Sequence, residues 1–230
     1  MRRRGSRLRI IGFIPQSNLV SEWKLDEVSG NIFYDSKGSL NGSVTDASTY
    51  TATGITTKTG NSFNFTGKAA VSVPGNTIFE VYDGVDNKPF SFSFWHEQPA
   101  STGASLEFFI NLNNSGVKIV VVAIAGNLLR SEVYMQSGGV MVSVVNSDQI
   151  NILLKNNIIF SFDPNRAEHS LFLINGIKVT QTISGAVSPV KTGNTALAIG
   201  GSNSGKLDEI KYYKRALTLE DSINIYNAEK

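Results

Sequence analysis

Apolar and polar positions alternate along most of this chain in short runs, each closed by Gly, Asn, Ser or Pro. The first clear run begins the block Leu19 to Gly42. There Val20, Glu22 and Lys24 alternate with Ser21, Trp23 and Leu25, a period of two that predicts a strand burying Trp23 and Leu25. Ser29-Gly30 breaks the pattern and Ile32 to Tyr34 resumes it. Asp35-Ser36-Lys37-Gly38 and Leu40-Asn41-Gly42 then carry turn chemistry. Ser62 to Phe65 and Ala70 to Val73 alternate in the same way before Pro74-Gly75-Asn76. The cleanest run is Pro89 to Trp95, with Phe90, Phe92 and Phe94 on one face and Ser91 and Ser93 between them. Three phenylalanines in a row bury a large apolar area, which places this strand in the middle of the core.

Further strands are predicted at Leu106 to Leu112, Val117 to Ala125, Leu128 to Met135, Val140 to Val145 and Ile158 to Phe162. Ile119 to Ile124 is continuously apolar, and its β-branched residues favour strand over helix. Ser170 to Ile174 and Ile177 to Gln181 flank Asn175-Gly176, a strong hairpin signal because both turn positions need positive φ. Ala196 to Gly200 and Leu207 to Tyr213 follow. Only the end changes period. Thr218 with Asp221 resembles a capping box, and Leu219, Ile223 and Tyr226 recur at helical spacing, so a short amphipathic helix closes the chain. Asp46 to Thr59 reads as a loop, and no internal repeat is visible. The pattern as a whole is that of an all-β, antiparallel protein with one C-terminal helix.

Composition sharpens this picture in three places. With 17% charged residues and 41% hydrophobic ones in 230, the chain is neither disordered nor a salt-bridged helical protein, and one β-sandwich accounts for the length. The absence of cysteine removes disulfides, thiol nucleophiles and thiolate zinc sites. The net charge of +2 hides an asymmetry: Arg2, Arg3, Arg4, Arg7 and Arg9 fall in residues 1–18 with no acid, while acids outnumber bases in the rest.

Residues 1–18 therefore read as a basic N-terminal arm before a domain over 19–230. The apolar run Ile10, Ile11, Gly12, Phe13, Ile14 stops at Pro15 and is too short for a secretory core of about 7 to 15 residues. It is also too apolar for a purely solvated tail. Arg2, Arg3, Arg4, Arg7 and Arg9 would meet acidic or phosphate groups of a partner, with Ile10, Ile11, Phe13 and Ile14 in an apolar groove. Nucleic acid is the weaker partner, because no aromatic residues interleave with the arginines. No stretch reaches the roughly 18 apolar residues of a membrane span.

These patterns carry a resemblance. Leu19 to Glu27 with Ser29-Gly30 and Asp35-Ser36 resembles the opening signature of laminin G-like jelly rolls, within the concanavalin A-like lectin/glucanase superfamily. Gly60 to Phe65 with Val71 to Pro74, Phe90 to Trp95, Leu171 to Gly176, and Gly205 to Ile210 with Tyr213, Arg215-Ala216-Leu217 and Tyr226 are similar to its later blocks. The resemblance implies an antiparallel β-sandwich (jelly roll) whose first and last strands are neighbours, with a short C-terminal helix and an extended N-terminal arm.

The resemblance also sets expectations for chemistry. Glucanases on this fold carry E-x-D-x-x-E or E-x-D-x-E on one strand face. Here Glu80 and Asp83 have the wrong spacing, and the adjacent Asp208 and Glu209 face opposite ways, so no catalytic residues are assigned. His96 and His169 read as surface histidines outside any metal cluster. Laminin G-like domains often hold one calcium, for which Asp26, Asp35 and Asp208 are candidates; the simpler reading has Asp26 and Asp35 holding their own turns and Asp208 capping its loop. Cofactors are accordingly none, with structural calcium the one exception left open. A sugar site would use exposed aromatics such as Tyr134, Trp95 or Tyr82, but no ligand-binding residue is assigned.

Laminin G-like domains work outside cells, yet this sequence begins at Met1 without an export signal. A bacteriophage virion protein reconciles the two, assembled in the host cytoplasm and released by lysis. The expected function is a non-enzymatic capsid decoration, neck, tail or fibre component, anchored to other capsid or tail subunits by its arm and displaying the lectin-like domain to host glycans. The alternative is a carbohydrate-binding module of a secreted bacterial protein, extracellular in location.

Overall fold

The computed structural model describes residues 12–44, 62–64, 71–81, 85–86, 88–97, 105–110, 116–124, 128–137, 140–146, 150–151, 155–163, 166, 170–179, 181–184, 195–200 and 205–230. Backbone alone is described at Asn64, Thr195, 105–110, 116–117, 120–124, 128–137, 140–146, 150–151 and 181–184. Two antiparallel sheets account for the strands. The smaller contains β1 (Leu19–Trp23), β4 (Phe63–Asn64), β6 (Phe90–Glu97), β12 (Asn156–Phe162), β13 (Leu171–Ile174), β14 (Ile177–Lys178) and β17 (Lys206–Tyr213). Its order is β1-β17-β6-β12-β13-β14, with β4 also paired to β17.

The larger sheet contains β2 (Ile32–Phe33), β3 (Gly42–Val44), β5 (Val71–Asn76), β7 (Ser105–Ile110), β8 (Gly116–Ile124), β9 (Leu128–Ser137), β10 (Val140–Asn146), β11 (Ile150–Asn151), β15 (Gln181–Ser184) and β16 (Thr195–Gly200). They run in the order β15-β10-β9-β8-β7-β16-β5-β3-β2, with β11 on β9. The only α-helix among the described residues, α1 (Leu219–Glu229), ends the chain. First and last strands pair as the resemblance implied, Trp23 opposite Ile210.

The core lies between the sheets. Phe90, Phe92 and Phe94 of β6, Phe160 and Phe162 of β12 and Tyr212 of β17 meet Val71, Val73, Leu197, Ile199 and Ile119 from the larger sheet. The Phe92 and Tyr212 rings lie 4.8 Å apart, and those of Phe90 and Phe162 5.8 Å. Full burial of each such ring contributes about 1.5–3 kcal/mol, so this row dominates the stability of the smaller sheet. β6 sits between β12 and β17, the central place its pattern predicts.

The other face of β6 departs from expectation. Ser91, Ser93 and Trp95 are buried too, because α1 and the segment leading into it cover the outer face of the smaller sheet. Leu217 donates its backbone N–H to Ser161 Oγ at 2.8 Å and to Ser91 Oγ at 3.1 Å. Ser91 Oγ–H donates in turn to Arg215 O at 2.8 Å, and Ser161 Oγ–H to Leu217 O at 3.1 Å. Leu19, Ile159, Leu171, Leu173, Tyr213, Leu217 and Ile225 complete a second apolar cluster there.

The capping box at α1 is present, Asp221 N–H to Thr218 Oγ1 at 3.1 Å and Thr218 N–H to Asp221 Oδ2 at 3.0 Å. The buried stripe of the helix is not the expected one. Ser222, Ile225 and Glu229 face inward, while Leu219 is exposed. Leu219 and Ile223 instead line, with Glu220 and Asn224, an open hollow of about 420 Å³.

Candidate functional site

Beneath the last turn of α1 lies a buried polar cluster. Lys211 points outward from β17, its side chain fully buried, and meets Glu229 Oε1 at 2.5 Å, Glu209 Oε2 at 2.8 Å and Glu22 Oε1 at 3.3 Å. Glu229 Oε2 also accepts from Trp95 Nε1–H at 2.8 Å and from the Asn157 amide at 3.4 Å. A bulge in β17 between Asp208 and Lys211 makes the arrangement possible, with Glu209 in the left-handed region at φ 51°. Burial opposes charge on Lys211, but Glu229, Glu209 and Glu22 outweigh it and hold the ammonium above its ordinary pKa. Glu229 is the strained member: burial pushes its carboxyl up, and Lys211 only partly offsets that. Such a cluster fixes α1 to the sheet; it leaves no free acid and base facing a cleft.

The second feature is the turn after β2. Asp35 Oδ1 accepts the backbone N–H groups of Glu22, Lys37 and Gly38 at 3.0, 3.0 and 2.8 Å, and Oδ2 that of Leu40 at 3.1 Å. These four donors outweigh burial and pull the Asp35 carboxyl below its ordinary value. Asp35 N–H donates to Asn41 Oδ1 and Tyr34 N–H to Glu27 Oε1, at 2.9 and 2.8 Å. The turn so braced presents Tyr34 with 62% of its surface exposed, two positions after Ile32 at 40%. Phe33, between Ile32 and Tyr34, is buried in the core.

Of the sequence-predicted residues, Arg2, Arg3, Arg4, Arg7, Arg9, Ile10 and Ile11 lie outside the described residues. Phe13 is 56% exposed, whereas Ile14 packs on the domain's own second apolar cluster. Arg215 Nε–H donates to Ser17 O at 2.9 Å and Lys214 N–H to Asn18 O at 3.0 Å. The stretch Ile14 to Asn18, placed in the arm from sequence, is therefore already fastened to the domain. Among the sugar candidates, Trp95 is covered by α1, Tyr82 lies outside the described residues, and Tyr134 is described in backbone only.

Asp35 is occupied by its own turn, Asp208 is buried in β17, and Asp26 is half-buried. Among the described residues no group of three His, Asp or Glu side chains has metal-binding geometry. His96, expected at the surface, is fully buried because β6 runs on to Glu97 and His96 follows Phe92 and Phe94 on its core side, opposite Leu207; His169 lies outside the described residues. Sequence reasoning passed over Tyr34. The signal was an apolar residue at each of Ile32, Phe33 and Tyr34: a half-buried strand with apolar side chains on both faces exposes one set.

A family profile described as concanavalin A-like lectin/glucanases superfamily matches residues 65–221, more than half of the chain. The chain belongs to this superfamily. Comparison with curated protein sequences finds no match. Among solved structures, the binding domain of Paraclostridial Mosquitocidal Protein 1 superposes with a TM-score of 0.69 at 17% identity, over 92% of this chain and 52% of that one. The botulinum neurotoxin serotype D ligand binding domain in complex with N-acetylneuraminic acid gives 0.65 at 14%, over 91% and 50%. A Trypanosoma rangeli sialidase gives 0.62 at 11%, over 94% and 34%. At these identities the likeness is one of fold, and this superfamily member spans between about a third and about half of each neighbour.

Proposed function

We propose that this superfamily member is a non-enzymatic glycan-recognition domain that presents Tyr34 to its ligand and is carried on a virion by its N-terminal arm. The braced turn carries the reading: a tyrosine 62% exposed, held by hydrogen bonds from Tyr34 N–H to Glu27 and from four amides to Asp35, is a ready-made stacking platform for a sugar ring. The neighbours support it, since toxin binding domains share the fold and one was solved with N-acetylneuraminic acid bound. The carboxylates Glu22, Glu209 and Glu229 are engaged on Lys211, which supports recognition rather than hydrolysis.

Carriage on a virion rests on the arginines of residues 2–9 and on the fastening of Ile14 to Asn18, which gives a tethered arm a fixed point of departure. Two measurements test the reading. The domain should bind a subset of an immobilised glycan panel; no binding to any glycan overturns the recognition role. Removal of residues 2–11 should leave the melting temperature and glycan binding unchanged but abolish incorporation into capsid or tail assemblies. Full incorporation of the truncated chain overturns the tether.

A further inference from the structure

We propose that the outer face of the smaller sheet holds a cryptic receptor for a carboxylate-bearing ligand, built by Trp95, Asn157 and Lys211 and plugged in cis by Glu229. It deepens the glycan-recognition reading by naming a second place and a ligand class, an acidic sugar, and it rests on that reading. The three donors sit on adjacent strands, Asn157 on β12, Trp95 on β6 and Lys211 on β17, so the receptor belongs to the rigid sheet. Only the acceptor belongs to the helix. Glu229 takes Lys211 Nζ on one oxygen and Trp95 Nε1–H and Asn157 Nδ2–H on the other, as a ligand carboxylate would.

Nothing in the helix itself calls for an acid at this position. A carboxylate in the last turn lies at the negative end of the helix dipole, and this one is buried as well. The groups facing it are Lys211, Glu209 and Tyr213 from β17 and Glu22 from β1; β6 and β12 contribute the neutral Trp95 and Asn157. Glu22 and Glu209 also hold the ammonium, at 3.3 and 2.8 Å, so Lys211 stays paired when the Glu229 plug leaves. Its departure would also uncover the indole of Trp95, which packs against Tyr226 with ring centroids 6.1 Å apart. An aromatic face beside a carboxylate receptor suits an acidic sugar.

A strap crosses the plug. Gly12 lies so close to the Asn227–Ala228 backbone that a Cβ there would overlap it. The segment leading to the arm thus lies on the very turn that carries Glu229, so a partner that draws the arm away would free the turn.

The test measures N-acetylneuraminic acid binding by saturation-transfer NMR and by the Trp95 indole N–H shift, with N-acetylglucosamine as the neutral control. Glu229→Ala opens the receptor while leaving Lys211 paired, and Gly12→Ala lifts the strap without touching the receptor. Glu229→Ala is expected to bind the acid at least tenfold more tightly than wild type, Gly12→Ala to show a smaller gain, and Lys211→Met in the Glu229→Ala background to abolish it. Folded variants that bind the acid no better than wild type, or a gain equal for the neutral sugar, overturn the proposal. Tyr34→Ala added to Glu229→Ala separates this from the main reading: it should remove glycan-panel binding and keep the gain in acid binding.

Discussion

Trp95 and Glu229 stand 134 residues apart in sequence, yet the indole N–H of one donates to the carboxylate of the other at 2.8 Å. That contact closes the chain's last helical turn onto the middle strand of the smaller sheet, and Lys211 completes it. Replacing Lys211 with Met removes the one cation from among Glu22, Glu209 and Glu229. Breaking a buried ion pair from one side costs about 3–5 kcal/mol, and urea unfolding should show a loss of that order. A loss under about 1 kcal/mol would mean the carboxylates find water.

The two kinds of carboxyl shift give a pH profile with a maximum. Asp35 and Asp221 titrate below the ordinary carboxylate value, so their stabilisation is present above the unfolded-state pKa and disappears as pH falls through the folded one. Burial raises Glu229, so the folded state takes up a proton more readily than the unfolded chain and gains stability as pH falls through that raised value. The melting temperature should rise on mild acidification from neutrality and then fall steeply below about pH 4. Glu229→Gln should remove the rise and keep the fall, whereas Asp35→Asn should blunt the fall.

Ser91 and Ser161 both accept the Leu217 amide, which makes them redundant. Either single Ala variant should cost about 1 kcal/mol, because the other hydroxyl still satisfies the buried N–H. The double variant orphans that N–H and should exceed the sum by about 1 kcal/mol, read from a denaturation cycle. Strict additivity would show that water takes the serines' place.

Gly176 is constrained twice, by φ of +75° and by the Tyr226 ring against which any Cβ would press. Gly176→Ala should destabilise by about 1–3 kcal/mol. Adding Tyr226→Ala should recover only the steric share. Complete recovery would show that the backbone conformation costs little.

The sandwich was legible because its determinants are local. Phe90, Phe92 and Phe94 alternate, Asn175-Gly176 turns the hairpin, and Thr218 with Asp221 starts the helix, each within a few residues. The outer face was not legible, for a physical reason. Alternating Ser91 and Ser93 looks the same whether the serines face water or bind a connector, and Leu217 is more than 120 positions from Ser91. The buried stripe of α1 was misread because its inward residues Ser222 and Glu229 are polar: Ser222 is satisfied by Thr218 O one turn back, and Glu229 by Trp95 on a strand distant in sequence. Tyr34 escaped notice because turn chemistry at Asp35 explains the local pattern without it.

Isothermal titration of wild type and Tyr34→Ala with the strongest ligand from the glycan panel tests the central claim most directly. Tyr34 is exposed, so the substitution should change stability by less than about 0.5 kcal/mol. Loss of a stacked ring should weaken binding by at least tenfold. Equal affinity of the two proteins for that ligand would contradict the assignment of this braced turn as the recognition surface.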